Sequence, residues 1–92
     1  MTTVTLTGQL VCASDEEAAI VAHHLPVHVA FTRAEPGCEA FEVTQSDDPH
    51  VWLVHEQFRD SAAFHAHQAR VADSEWGRAT EGIERRYDIR GL

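Results

Sequence analysis

The chain has no lysine and no asparagine, only two cysteines, and no long apolar run. Each absence narrows what the protein can be. All seven cationic residues are arginine, set against fifteen acids, for a net charge of −8. An acidic chain without a basic stripe is a poor partner for nucleic acid or for an anionic membrane surface. No stretch approaches the ~20 apolar residues of a membrane span. Met1-Thr2-Thr3-Val4-Thr5 has neither the basic start nor the continuous apolar segment of a signal peptide, so the cytoplasm is the expected compartment. Cys12 and Cys38 do not make a disulfide framework, and both are expected to be small buried hydrophobes rather than reactive thiols. There is no Gly-rich phosphate loop, no Ser nucleophile elbow and no Cys–His pair at a telling spacing.

What is present is ordinary for a folded protein: 43% hydrophobic and 24% charged residues, without a low-complexity run. One domain, residues 1–92, is expected. A chain this short buries only about 60–65% of its unfolded surface, so a partner subunit would add stability. Seven histidines make the charge sensitive to pH: with all of them protonated, −8 becomes −1, and solubility should fall toward pH 5–6.

Hydrophobic periodicity divides the chain. Val4, Leu6, Leu10 and Cys12 alternate with Thr3, Thr5, Thr7 and Gln9, which is strand spacing, and Gly8 marks a bulge or a close approach. Ser14-Asp15-Glu16-Glu17 is a helix start with a capping box. Ala18, Val21, Ala22, Leu25 and Val29 then form a helical stripe interrupted by Pro26, which predicts two pieces, 15–25 and 26–33. Glu35-Pro36-Gly37-Cys38 reads as a turn, Ala40–Thr44 as a strand, and Ser46-Asp47-Asp48-Pro49 as a hairpin connection. Val51–Phe58 is the strongest strand. Its first four residues are apolar on both faces, as expected with helices on one side and a second subunit on the other. Asp60 caps a helix bearing Phe64, His67 and Val71, and Asp73-Ser74-Glu75 breaks it. A weak helical stretch, Glu75–Ile83, and a last strand, Arg85–Arg90, complete the chain. The order β-α-β-β-α-β is the ferredoxin-like pattern, an α+β class.

The segment Thr32-Arg33-Ala34-Glu35-Pro36-Gly37-Cys38-Glu39-Ala40-Phe41-Glu42-Val43 resembles the antibiotic biosynthesis monooxygenase family. Members typically carry the Glu-Pro-Gly-Cys turn, an aromatic shortly after it, and an acidic-Val strand. Val54-His55-Glu56-Gln57-Phe58, Asp60 and Ala63-Phe64-His65-Ala66-His67 extend the resemblance over nearly the whole chain without insertions. It implies a ferredoxin-like sandwich paired into a dimeric α+β barrel, with a cavity between sheet and helices in each subunit. Related members oxidise polycyclic aromatic or quinol substrates with O2 and no added cofactor, while others degrade haem. Well-understood oxygenases of this superfamily use an Asn with a Trp near the reacting atom. This chain has no Asn, and Phe58 stands where haem degraders place that Trp, so haem degradation is not expected.

His67 occupies the family's Ala-His position and shares a helix face with Ala63, Phe64 and Val71, opposite His65. It is the candidate general acid/base, with a carbonyl-satisfied core histidine as the plainer reading. Trp52, Val54, Glu56 and Phe58 share one strand face. Glu56 is expected half-buried near His67, orienting the imidazole or acting as a base, or else paired with Arg33 or Arg70. Trp52, Phe58 and Phe41 would hold a ring, and His28 would line the cavity. His24 and His28 have a ligand-like spacing, but Pro26 lies between them and no third ligand is evident, so no metal is expected. Arg85-Arg86 suits an anion, or more plainly a solvated edge or an intersubunit salt bridge. Three readings remain: a cofactor-independent monooxygenase acting on a quinol, phenol or polyketide-like aromatic, a non-oxidative isomerase or cyclase-like enzyme, and a non-catalytic small-molecule-binding module of the stress-response kind.

Overall fold

The computed structural model describes residues 2–92. The elements run β1 (Val4–Val11), α1 (Asp15–Arg33), β2 (Cys38–Gln45), β3 (Val51–Phe58), α2 (Ser61–Ala72), α3 (Glu75–Ala79) and β4 (Glu84–Arg90). The four strands form one antiparallel sheet in the order β2-β3-β1-β4, the split arrangement that the element order predicts. No helix among the described residues is long and apolar enough to cross a membrane.

Strand alternation sorts the sheet into two faces. Val4, Leu6 and Leu10 of β1 point inward with Trp52, Val54, Glu56 and Phe58 of β3, and all are buried. Cys12, just beyond β1, joins them, with Val21 from α1, Phe64 from α2, Trp76 from α3 and Ile83. Cys38 is only partly buried, and both thiols are free. The outward face carries Thr7, His55 and Leu53, which is 45% exposed.

Gly8 is a close approach and no bulge. Both of its neighbouring registers run unbroken, its φ is +150°, and a Cβ there would lie 2.1 Å from the Arg86 carbonyl oxygen. The irregularity falls instead in β2, where the register with β3 shifts between Cys38 and Ala40.

The N-terminus of α1 is built as the capping signal predicts: Ser14 Oγ accepts from the Glu17 N–H (3.2 Å), and Glu17 Oε1 accepts from the Ala13 N–H (2.7 Å). Two expectations for this helix are corrected. Pro26 does not divide it; α1 is continuous over 19 residues. Pro26 and Ala22, whose carbonyl loses its partner, are both exposed, so the break in the hydrogen-bond ladder falls on the solvent side of the helix. The buried face differs in part: Val21 is buried and Ala18 and Leu25 pack against the core as expected, but His28 and Thr32 also turn inward, while Ala22 is exposed. Two polar residues belong to the inner face, and apolarity alone does not trace it. The weak C-terminal helix shortens to Glu75–Ala79, with Ser74 Oγ capping the Gly77 N–H (3.0 Å).

Candidate functional site

The site begins at the Glu-Pro-Gly-Cys turn. Gly37 is buried there, and a Cβ on it would sit 2.3 Å from the Ala63 Cβ, so glycine is what lets the first turn of α2 close onto it. Gly37 O also accepts from the Arg59 N–H (2.9 Å), and Asp60 Oδ1 caps the Ala63 N–H (2.8 Å). This contact brings Glu35, at the start of that turn, beside His67, one helical turn after Ala63.

His67 Nδ1 lies 2.8 Å from Glu35 Oε1 and 3.2 Å from Oε2. Arg70 Nε donates to Glu35 Oε2 at 2.7 Å and a second guanidinium nitrogen donates to Thr32 Oγ1 at 2.9 Å. A carboxylate only accepts, so Nδ1 carries the proton toward Glu35 and Nε2 is the basic nitrogen of the neutral ring. His67 is 3% exposed. Burial lowers its pKa below the ordinary histidine value, partly countered by the charge and hydrogen bond of Glu35, with Arg70 adding to the lowering.

Nε2 faces Glu56, whose Oε1 stands 3.6 Å away, too far for a direct hydrogen bond. Glu56 is fully buried, where half-burial was expected, and it pairs with neither Arg33 nor Arg70. Arg33 donates instead to the Phe41 carbonyl oxygen, and Arg70 is taken by Glu35 and Thr32. The orienting carboxylate is therefore Glu35. Burial, reinforced by the charge of Glu35 and opposed by Arg85, pushes Glu56 up to about 7. A neutral imidazole and a partly protonated carboxyl thus sit side by side near neutral pH, a base next to an acid.

These groups line a small interior cavity of about 50 Å³ together with His28, Phe41 and Tyr87. His28 Nδ1 and Glu56 Oε1 are buried without a hydrogen-bond partner among the described residues. Burial, with the charges of His67, Arg70 and Arg85, lowers His28 to about 3, so it is neutral. Tyr87 is pushed up to about 12, chiefly by burial. His28 stacks flat on Trp76, with ring centroids 4.4 Å apart and planes at 2°.

Of the residues singled out from the sequence, His67, Glu56, Phe41 and His28 converge on this cavity. Phe58 packs against the His67 ring, centroids 4.8 Å apart, as part of its support. Trp52 is buried further along β3 in the apolar core, outside the cavity lining, and its Nε1 has no partner among the described residues. Arg85 is tied back to Thr80 and Ile83 and also lines the cavity, whereas Arg86 pairs with Glu84 at the surface. His50 pairs with Asp15, and His65 is exposed. Sequence reasoning missed Glu35, Arg70 and Thr32 as a unit. The first lies in the Glu-Pro-Gly-Cys motif, where its turn role masks its carboxylate.

The sequence profile of the antibiotic biosynthesis monooxygenase family matches residues 3–77. No curated protein matches the chain in sequence. Among solved structures, a Pseudomonas aeruginosa protein, PA3566, is 26% identical, covering 100% of this chain and 95% of its own, with a TM-score of 0.78. SnoaB of Streptomyces nogalater, described as a cofactor-independent oxygenase, superimposes with a TM-score of 0.81 at 14% identity, covering 100% and 94%. Rv0793 of Mycobacterium tuberculosis gives 0.76 at 15% identity, covering 99% and 95%. The last two likenesses are of fold.

Proposed function

The chain belongs to the antibiotic biosynthesis monooxygenase family, and from that premise we propose that it is a cofactor-independent monooxygenase acting on a small aromatic hydroxyl compound, a quinol or phenol. One observation carries this reading: a buried imidazole, tautomerically set by Glu35, presents Nε2 to a cavity shared with Glu56. His67 Nε2 takes the hydroxyl proton of the substrate. The anion formed is electron-rich enough to reduce O2 directly. One oxygen atom enters the ring, and the other leaves as water with two hydrogens from the substrate, which also supplies both electrons. Glu56, protonated in a substantial fraction of molecules at neutral pH, stands next to the imidazole to return to the departing oxygen the proton that His67 took up. Burial of the pair excludes bulk water and favours the neutral form of each group. The fit to SnoaB supports this by fold. The proposed working unit is a cytoplasmic homodimer in which the outward sheet faces meet.

The test is oxygen uptake with a panel of quinols and naphthols. Uptake by the wild-type protein that falls at least a hundredfold in His67→Ala is expected. Absence of uptake, or equal uptake by the variant, overturns the reading.

The adjacent acid and base also favour a second reading, a non-oxidative isomerase or cyclase-like reaction that shuttles one proton between two carbons. Turnover under strictly anaerobic conditions supports that reading and counts against the first.

A further inference from the structure

Outside the interior cavity, between α1 and the corner joining α2 to α3, lies a much larger groove of about 590 Å³. Val27 and Phe31 line it, each 59% exposed, with Arg70 alongside. Two residues line both spaces: His28 and Trp76. Their flat stack is therefore the wall between groove and cavity. The cavity behind that wall, about 50 Å³, has room for a water molecule or two, whereas a pocket that holds a benzene ring measures about 150 Å³. An aromatic ring does not fit beside Glu56 and the Nε2 side of His67 while the wall stands; the separate hollow at the Glu-Pro-Gly-Cys turn reaches His67 only from its Glu35 side.

Physical detail at the wall points to what opens it. Trp76 sits on α3, a helix of five residues held at its start by the Ser74 cap and at its end by the Thr80 hydroxyl, which donates to the Trp76 carbonyl oxygen at 2.6 Å. The bond from Thr80 holds its backbone and leaves the indole held by packing alone, since Trp76 is 7% exposed and the groove lies directly beside it. The His28 ring, by contrast, is braced from behind by Phe41, edge-on at 5.2 Å, and cannot retreat without displacing it. Of the two rings, the indole has no second aromatic ring packed on it among the described residues, and the apolar groove walls, Val27 and Phe31, stand where they can receive it. Behind the wall, His28 Nδ1 and Glu56 Oε1 lack partners among the described residues, and a hydroxyl entering the cavity can supply one to either.

We propose that the His28–Trp76 stack is a ligand-opened partition: a planar aromatic hydroxyl compound displaces the Trp76 indole into the groove, stacks on His28 in its place, and carries its hydroxyl to His67 and Glu56. This rests on the reading that His67 is the base of the site. It adds a selection rule, because only a flat ring can replace an indole lying parallel to His28. A saturated ring of the same outline cannot recover the stack.

The experiment uses the full chain, isotopically labelled, with 2-naphthol as the flat probe and decahydro-2-naphthol as its saturated counterpart. The expected result is that 2-naphthol moves the Trp76 indole N–H resonance and the His28 and His67 ring nitrogens together, along one saturation curve. The saturated probe should bind at least tenfold more weakly. Trp76→Leu, which keeps apolar bulk but cannot stack, is expected to bind 2-naphthol about tenfold more tightly, and the wild-type titration stands without it if that variant fails to fold. Shifts confined to Val27 and Phe31, equal binding of the two probes, or no binding overturn the partition. The two proposals fail separately. Coupled shifts in a protein that consumes no oxygen keep the partition and remove the oxygenase reading. Oxygen uptake on 2-naphthol with Trp76 unmoved does the reverse.

Discussion

Glu35 binds His67 through one carboxylate oxygen and Arg70 through the other, so changing it alters two partners at once. Glu35→Gln is expected to release the preference for a proton on Nδ1 and to lower the His67 pKa further, because Glu35 raises it. Nitrogen chemical shifts of the imidazole across a pH titration measure both, and an unchanged tautomer would show that Glu35 does not orient the ring. Glu56 gives a second prediction with a definite sign. Its folded pKa of about 7 lies above its ordinary 4.5, so between those values the folded chain holds a proton that the unfolded chain has lost, and stability falls as pH rises through that window. Above pH 7 the cost is complete, about 3 kcal/mol at about 1.4 kcal/mol for each pH unit. Glu56→Gln keeps the neutral shape, so it should gain up to that amount over wild type at pH 8 and little at pH 4, by urea unfolding. His28 acts in the opposite direction. Lowered to about 3 from 6.5, it makes stability fall as pH drops through that range. Of these residues, His67, Glu56 and His28 were legible from strand parity, helix face and motif position. Glu35 was not, because a carboxylate in a turn looks like any solvated acid until the chain 32 residues on folds against it.

At the scale of elements, the contact between the Glu-Pro-Gly-Cys turn and α2 fixes the distance between Glu35 and His67. Gly37→Ala should push the two apart, because the new methyl meets the Ala63 Cβ at 2.3 Å. Overpacking of this kind costs about 1–3 kcal/mol. Adding Ala63→Gly should recover most of the loss. A double-mutant cycle on unfolding free energies reads this directly, and additivity would mean that the two residues do not touch. Element types and order were readable because each has its own period: two along β1 and β3, about 3.6 along α1 and α2. The unbroken α1 was less readable. Whether proline divides a helix depends on which way its ring and the carbonyl four residues earlier face, and both face water here.

At the scale of the whole molecule, the proposed homodimer is a prediction about the outward sheet face. Leu53 is 45% exposed at its centre, on the strand that the sequence marks as apolar on both sides. A homodimer of twice 10.3 kDa is expected by light scattering, and Leu53→Arg should shift it toward monomer without changing the strand. A monomeric wild-type chain would remove the barrel assembly.

The chain order of polar and apolar residues was enough to specify the ferredoxin-like sheet, its inward face and the histidine at its centre. Those features follow from local periodicity and from which side chains avoid water. The tertiary structure alone decided that Glu35 and not Glu56 hydrogen-bonds His67, that Trp52 belongs to the core, and that His28 stacks on Trp76 between groove and cavity. Each depends on residues tens of positions apart meeting within a few ångströms. Such distances are set by how helices settle on the sheet, which no local pattern records.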